Sequence, residues 1–486
     1  MRVGIIGAGV AGLATAKVLL QAGHEVVVFD SAPDVGGVWS RTRRYPGLTT
    51  QSAKATYGLS DYPMPSSFPE WPSGEQVQSW LEAYAHEFKV EPHLRLGVKV
   101  ERVVRDSGGW TLHLSHGDPE AVDRLVVANG VFCEPNMPSF PGHFDGEILA
   151  GTEMHDPEMA RGKHVLVVGY GKSACDVTVP LSRLAASTDV IARQLLWKVP
   201  RRIGGVLNFK MLLLTRMGEA LFRYHTLRGP EKFLHGPGNP MRRNMLNSVG
   251  SVSVRQFKLK RLGLVPRGSM EGIVKGAIGL ATEGFFEGVE AGRIAVHRDT
   301  TIVRLSDRTA ELSDGTRLPA DLIVCATGFR QGVPFLGDDV QRTLFDERGN
   351  FVLYRQIRPP DVDGLYFNGY NSSFFSPLNA EMAALWIAAD LAGAVPLPAP
   401  DEMRRRAEAQ LAFMDEATDR HHSRGTKIIP FSLKNADEVL NDLGLNISRR
   451  VRASHWLNPV DPSAYRGVTP ALLARLRARA GVLEDA

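Results

Sequence analysis

Cysteine is scarce in this chain: among 486 residues there are three, Cys133, Cys175 and Cys325. They lie far apart with no CxxC pair. That excludes a disulfide scaffold and a dithiol redox centre, and it fits a reducing compartment such as the cytoplasm. Each reads first as a buried apolar side chain. No run of about 18 apolar residues is free of charge, so no transmembrane helix is expected. The best candidate, Leu378 to Leu397, is interrupted by Glu381 and Asp390. A strand starting at Arg2 is expected to leave no room for a leader peptide. Metal-ligand spacing is missing too, so no metal is expected, and His421, His422 and His455 read as surface histidines. Net charge is only +4, but it is unevenly spread. Between Ile191 and Leu262 there are 15 Lys or Arg against Glu219 and Glu231. Such a region suits a phosphorylated cofactor or an anionic surface. Without a nucleic-acid motif or interleaved aromatics, nucleic acid is not an expected partner.

What the chain does have is glycine in two telling places. Val3 to Ile6 is a short apolar run leading into Gly7-Ala8-Gly9-Val10-Ala11-Gly12, then an amphipathic segment to about Gln21, then Val26 to Phe29 ending on Asp30. This is the dinucleotide-binding βαβ pattern. Gly7 allows a tight turn, Gly9 lets backbone approach a diphosphate, and Gly12 lets helix and strand pack closely. The helix N-terminus then offers unpaired N–H groups to the phosphates, and Asp30 stands where a carboxylate accepts from ribose hydroxyls. The pattern returns at His164 to Arg193, with Gly169-Tyr170-Gly171-Lys172-Ser173-Ala174 as the turn. Here Arg193 replaces the acid, which favours a cofactor with a 2′-phosphate, NADPH. Lys198, Arg201 and Arg202 are expected to reinforce that preference. A chain of this length, 43% hydrophobic and 23% charged, has room for two or three ordinary domains.

Between the two units, Ser73 to Ala85 opens with a capping box, Ser73 and Gln76, and continues as a helix. Leu94 to Val104, Trp110 to Leu114 and Arg124 to Val127 read as strands, and the second glycine turn is followed by a helix to about Leu184. Phe209 to Phe222 is amphipathic, with three readings: core packing, the wall of an apolar substrate channel, or a peripheral membrane helix giving weak membrane contact.

Past Asp30 comes Gly36-Gly37-Val38-Trp39, then Tyr45-Pro-Gly-Leu and Ser60-Asp61-Tyr62-Pro63-Met64-Pro65. Farther on, Asp321 to Cys325 ends in Ala326-Thr327-Gly328-Phe329, and Ser376-Pro-Leu-Asn-Ala-Glu381 opens a helix. With these blocks the chain resembles the class B flavin-dependent monooxygenases, over about residues 1 to 395. The resemblance implies an α/β fold with two Rossmann-like dinucleotide-binding domains, one for FAD and one for NADPH, the FAD domain being discontinuous. The expected boundaries are 1–155 and 326–398 for the FAD domain and 156–325 for the NADPH domain, with an inserted segment about 203–263 and a C-terminal extension 399–486. FAD contacts are then expected from Gly7, Gly9, Ala11, Gly12, Asp30, Gly37, Val38, Trp39, Gln51, Val100, Thr327, Gly328 and Asn379. NADPH contacts are expected from Gly169, Gly171, Lys172, Ser173 and Arg193. Glu381 is read as a helix cap.

In that family NADPH reduces the flavin, which then forms a C4a-peroxyflavin with O2 in a site that must exclude water. One branch transfers oxygen to nitrogen or sulfur; the Baeyer–Villiger branch oxidises ketones. Both carry Phe-x-Gly-x-x-x-His with an aromatic four residues later. Here Phe144 and Gly146 match, but Ala150 replaces the histidine and Met154 the aromatic. Gln51 aligns with an active-site asparagine of the heteroatom branch, where the Baeyer–Villiger branch has aspartate with an arginine two residues earlier, here Thr49. Gln51 and Asn379 are therefore the candidate catalytic groups. N- or S-oxygenation of a small organic substrate is expected first, and Baeyer–Villiger oxidation second. An oxidase releasing hydrogen peroxide is the third reading, kept open by Ala150.

Overall fold

A computed structural model of the chain describes residues 1–106, 108–275, 279–421, 424–426 and 431–484. His422 lies outside these residues. Two five-stranded parallel sheets dominate. The first has the order 365–367, 124–127, 2–6, 25–30, 94–96, and the second 295–298, 187–192, 164–168, 322–325, 147–150. Both are parallel at every pairing. They share one plan: a first strand flanked by the strand after its helix on one side and by a late strand on the other. That plan requires burial on both faces, and the strands comply with runs such as Val165–Val167 at 0% exposure.

The first sheet is completed from far along the chain, by Leu365–Phe367. The second takes its edge strand, Glu147–Ala150, from before its own first strand. Ala150 and Met154 are buried here, and Gly146 packs so tightly on Phe144 that a Cβ would come within 2.5 Å of the ring. The Phe-x-Gly segment is thus a packed corner of the second sheet.

Helix Val10–Gln21 lies against helix Ser376–Leu391, an element whose residues Pro377 to Ala389 are all buried. The C-terminal helices Pro400–Thr418 and Ser432–Asp442 join the same core through Met403, Met414, Leu433 and Val439. Several local expectations hold. The capping box at Ser73 is formed in both directions, with Ser73 N–H donating to Gln76 Oε1 at 3.0 Å. Others are corrected. The Leu94 to Val104 stretch is two strands, Leu94–Leu96 and Val100–Arg105, separated at Gly97, whose φ of 72° breaks an extended chain. The helix expected to reach Leu184 ends at Leu181, just after Pro180.

Phe209 to Phe222 is not one amphipathic helix. It forms Lys210–Leu213 and Arg216–Ala220, with the Thr215 side chain capping the second by accepting from Gly218 N–H. Phe209, Leu214, Leu221 and Phe222 are core residues. Arg216 is buried in a bidentate pair with Asp437 (2.7 and 2.9 Å), and the Glu219 carboxylate accepts from Leu433 and Lys434 N–H. Most of the segment packs in the core and fastens the C-terminal extension, while Phe222 at its end also lines the cavity described below. His455 is likewise not a surface residue, being 4% exposed and stacked on Tyr465.

Candidate functional site

The two glycine turns repeat one another in atomic detail. Gly7 (φ 112°) has its missing side chain aimed at the Ala128 carbonyl, where a Cβ would sit at 2.4 Å; Gly169 (φ 126°) faces the Ala326 carbonyl at 2.5 Å. Only glycine fits either place. A Cβ on Gly12 would meet the Gly7 carbonyl oxygen at 1.8 Å, so Gly12 acts by letting the helix close on the turn. The next glycines differ in kind. Around Gly171 nothing lies within 4 Å, and at Gly9 only Gly37 backbone approaches, at 3.5 Å. These are open cradles. The helices beginning at Val10 and Lys172 have Gly9 and Gly171 as N-caps and no side-chain cap, which leaves their N–H groups for an anion. The Gly36-Gly37 turn fits against the first cradle: Gly36 N–H donates to Ala8 O at 3.0 Å.

Both cradles open into one cavity of about 2190 Å³. Pockets for a single drug-sized ligand run to roughly 300–1,000 Å³, so this one has room for two large ligands. Gly7, Gly9, Ala11, Asp30, Gly37, Val38, Trp39, Gln51, Val100, Gly169, Gly171, Lys172, Ser173, Arg193, Thr327 and Gly328 all line it. Gly12 does not line the wall, in keeping with its packing role. Asn379 is also off the wall. It is fully buried, its amide donates to Ser373 Oγ at 2.9 Å, and the wall at this helix start is made by Ser373, Ser376 and Ala380.

Several wall residues have partners that refine their roles. Asp30 accepts from Ala8 N–H (2.7 Å) and Ala32 N–H (2.8 Å), so it braces the glycine turn. Burial pushes its carboxyl above the usual range, against those two donors. The Lys172 ammonium is buried against Asp176, which also accepts from Thr282 Oγ1 at 2.6 Å. Burial draws the lysine downward. Ser173 receives the Tyr45 hydroxyl at 2.9 Å, a contact that joins the two sheets' loops across the cavity. Gln51 has its Oε1 facing Leu280 N–H at 3.4 Å. Neighbouring Ser52 donates to Phe374 O at 2.8 Å. Arg193 is exposed on the wall at the end of the second unit's second strand, as Asp30 is in the first.

The expected helpers of Arg193 are elsewhere. Lys198 is buried and donates to Tyr170 O at 2.8 Å; Arg201 reaches Thr49 Oγ1 at 2.9 Å and Glu283; Arg202 faces Glu70. None of the three lines the cavity. Much of the basic excess is neutralised in the same way, by Asp437, Glu70, Glu271 and Glu290.

Glu381 does not cap its helix. It is fully buried, accepts from Ser60 N–H and Ser60 Oγ at 2.8 Å each, and pairs with buried Lys17 at 3.8 Å. Lys17 also bonds Asp61 and sits over the Phe88 ring. The cluster ties the 60–61 loop to both helices of the first unit. The signal for it was present: a lone lysine and a lone acid inside apolar helical runs.

Residues 1–445 match the model of the flavin-binding monooxygenase-like family. The chain belongs to that family. Human flavin-containing monooxygenase 3 is 26% identical over 431 residues, 83% of this chain and 76% of the human protein. S-allyl-L-cysteine S-oxygenase from Allium sativum has a similar fold, with a TM-score of 0.63 at 20% identity, covering 98% of both chains. Cyclohexanone monooxygenase from Rhodococcus sp. Phi1, solved with NADP⁺, gives 0.67 at 18%, covering 91% of this chain and 97% of that one. This flavin-binding monooxygenase has a cavity with room for a flavin and a nicotinamide dinucleotide. The cavity fits both groups: two open cradles, two uncapped helix starts, and volume for a pair of dinucleotides. Among the described residues, no helix is long and apolar enough to cross a membrane.

Proposed function

We propose that this monooxygenase transfers one oxygen atom from O2 to nitrogen or sulfur of a small organic substrate. FAD occupies the first glycine cradle, on residues 1–155 and 326–398, and NADPH the second, on residues 156–325. A flavin held in the first cradle would supply the redox chemistry, hydride acceptance and O2 activation. The chain's own residues do the rest. The helix starts at Val10 and Lys172 bind the diphosphates, Asp30 stiffens the first cradle, and Arg193 meets the 2′-phosphate. Tyr45 and Ser173 hold the two halves in register. The three unpaired cysteines, two of them buried, suit a reducing cytoplasmic setting.

The observation that carries the choice of chemistry is Gln51. It is a neutral amide on the cavity wall whose oxygen faces the Leu280 N–H, which leaves the NH2 group to donate into the cavity. A neutral donor suits transfer to an uncharged soft nucleophile. Gln51 also stands in the stretch that resembles the heteroatom branch.

The test is a balance sheet of NADPH consumed, product formed and hydrogen peroxide released, with sulfides, tertiary amines and cyclic ketones offered in turn. Sulfoxide or N-oxide in proportion to NADPH supports the reading. Lactone as the main product overturns the choice of chemistry. Peroxide equal to NADPH with every compound overturns oxygen transfer itself.

A further inference from the structure

Beyond Gln51 the cavity wall passes into an apolar lobe. The Ser52 hydroxyl bonded to Phe374 O puts the two segments side by side. Phe374, Phe222 and Ile273 line both the cavity and a small apolar void behind it. Phe431, buried and with its ring 5.2 Å from that of Tyr224, extends the same surface. Next to Phe222 stands Arg223. It lines the cavity, it is exposed, and among the described residues no carboxylate pairs with it. Other bases of this region are already neutralised: Arg216 by Asp437 and Arg242 by Glu271, a cavity-lining acid, at 2.7 Å each. Asp419, another acid on the wall, already has an interaction of its own. An arginine held beside an apolar, aromatic wall and left without a counter-ion is matched by a ligand that brings its own.

We propose that Arg223 receives a carboxylate of the substrate, which is therefore an organic acid with an apolar or aromatic body. The body packs against Phe222, Ile273, Phe374 and Phe431. The guanidinium fork holds the carboxylate, which fixes which end of the molecule faces Gln51. Only the identity of the oxidised atom rests on the function proposed above; the binding does not.

The test titrates FAD-loaded enzyme calorimetrically with 4-(methylthio)benzoate and with its neutral amide, 4-(methylthio)benzamide, at low ionic strength. The acid binds about tenfold more tightly than the amide, as for a charge-assisted bidentate pair, and the preference shrinks as salt is raised. In Arg223→Gln the preference disappears; in Arg223→Lys, which keeps the charge without the fork, part of it remains. Equal affinities in the wild type, no binding of either compound, or a preference that survives in Arg223→Gln overturns the proposal. Tight binding of the acid with no sulfoxide formed counts against the oxygenase reading alone. Sulfoxide made equally well from both compounds counts against Arg223 alone.

Discussion

The Gln51 side-chain oxygen faces the backbone N–H of Leu280, 229 residues later in the chain. Leu280 belongs to a short parallel pairing, Lys198–Val199 with Gly279–Leu280, so a strand of the second half sets the direction of a side chain in the first. The amide group is aimed, and under the proposed function its donor end is what a mutation must preserve. Gln51→Glu keeps an acceptor for Leu280 but replaces the donor by a charge, while Gln51→Ala loses both. Oxygen transfer is expected to slow about 100- to 1,000-fold in both variants, the range for one positioned donor, so that product formed per NADPH falls. Retention of full coupling in Gln51→Glu would falsify the donor role.

The glycines of the two turns divide into two classes with opposite phenotypes. Gly12→Ala and Gly169→Ala force a Cβ onto a carbonyl at 1.8 and 2.5 Å, and cost more than about 4 kcal/mol. Gly171→Ala adds a methyl in open space at an ordinary φ of −71°. Its thermal midpoint should stay at the wild-type value, while NADPH binding weakens at least about tenfold through crowding of the cradle. Unimpaired NADPH binding in Gly171→Ala would show that the diphosphate lies elsewhere.

On the proposed reading, Arg193 is expected to decide between nicotinamide cofactors. It has no salt-bridge partner among the described residues, so its removal should leave the fold untouched. Arg193→Ala is expected to raise KM for NADPH about 10- to 100-fold, the worth of charge-assisted bonds to a phosphate, with NADH changed less than about twofold. Equal losses for both cofactors would refute the 2′-phosphate assignment.

Glu219 makes the fastening of the C-terminal extension sensitive to pH. Burial raises its carboxyl to about 8, opposed by the Leu433 and Lys434 N–H donors and by Arg216. In the unfolded chain it titrates near the ordinary 4.5. The stability tied to the neutral form is fully present below about 4.5 and is lost as pH rises towards 8, by about 1.4 kcal/mol per unit at most. The thermal midpoint of Glu219→Gln, which cannot ionise, should therefore fall less steeply than wild type between pH 5 and 8. Parallel curves would mean that Glu219 is already ionised in the fold.

The parts legible in the sequence are those fixed by local backbone demands. Gly7 and Gly169 turn the chain at φ of 112° and 126°, Gly12 closes on the Gly7 carbonyl within the same turn, and Asp30 and Arg193 follow at set distances along the strand. What sequence could not give depends on partners far away. Lys198, Arg201 and Arg202 look like a phosphate cluster until Tyr170, Glu283 and Glu70 are seen beside them. Asn379 and Ala380 are one residue apart, yet a helix turns by about 100° per residue, and it is Ala380 that meets the cavity. Phe209 to Phe222 keeps a helical pattern of apolar residues, but Thr215 restarts the helix and Arg216 points inward to an acid more than 200 residues on.

The first strand of the chain and the strand Leu365–Phe367 belong to one sheet, and helix Val10–Gln21 buries its face on helix Ser376–Leu391. During synthesis this has a temporal consequence. The opening βαβ unit leaves the ribosome early, yet the helix that covers Leu13, Ala16 and Leu19 is made only when about four-fifths of the chain exists. Until then its apolar face is bare, and the first glycine cradle has no floor. The second sheet, whose strands all lie between residues 147 and 325, is complete sooner. The N-terminal half therefore waits on the ribosome as the more aggregation-prone partner, and a cell starved of chaperones should lose this protein while it is being made rather than after.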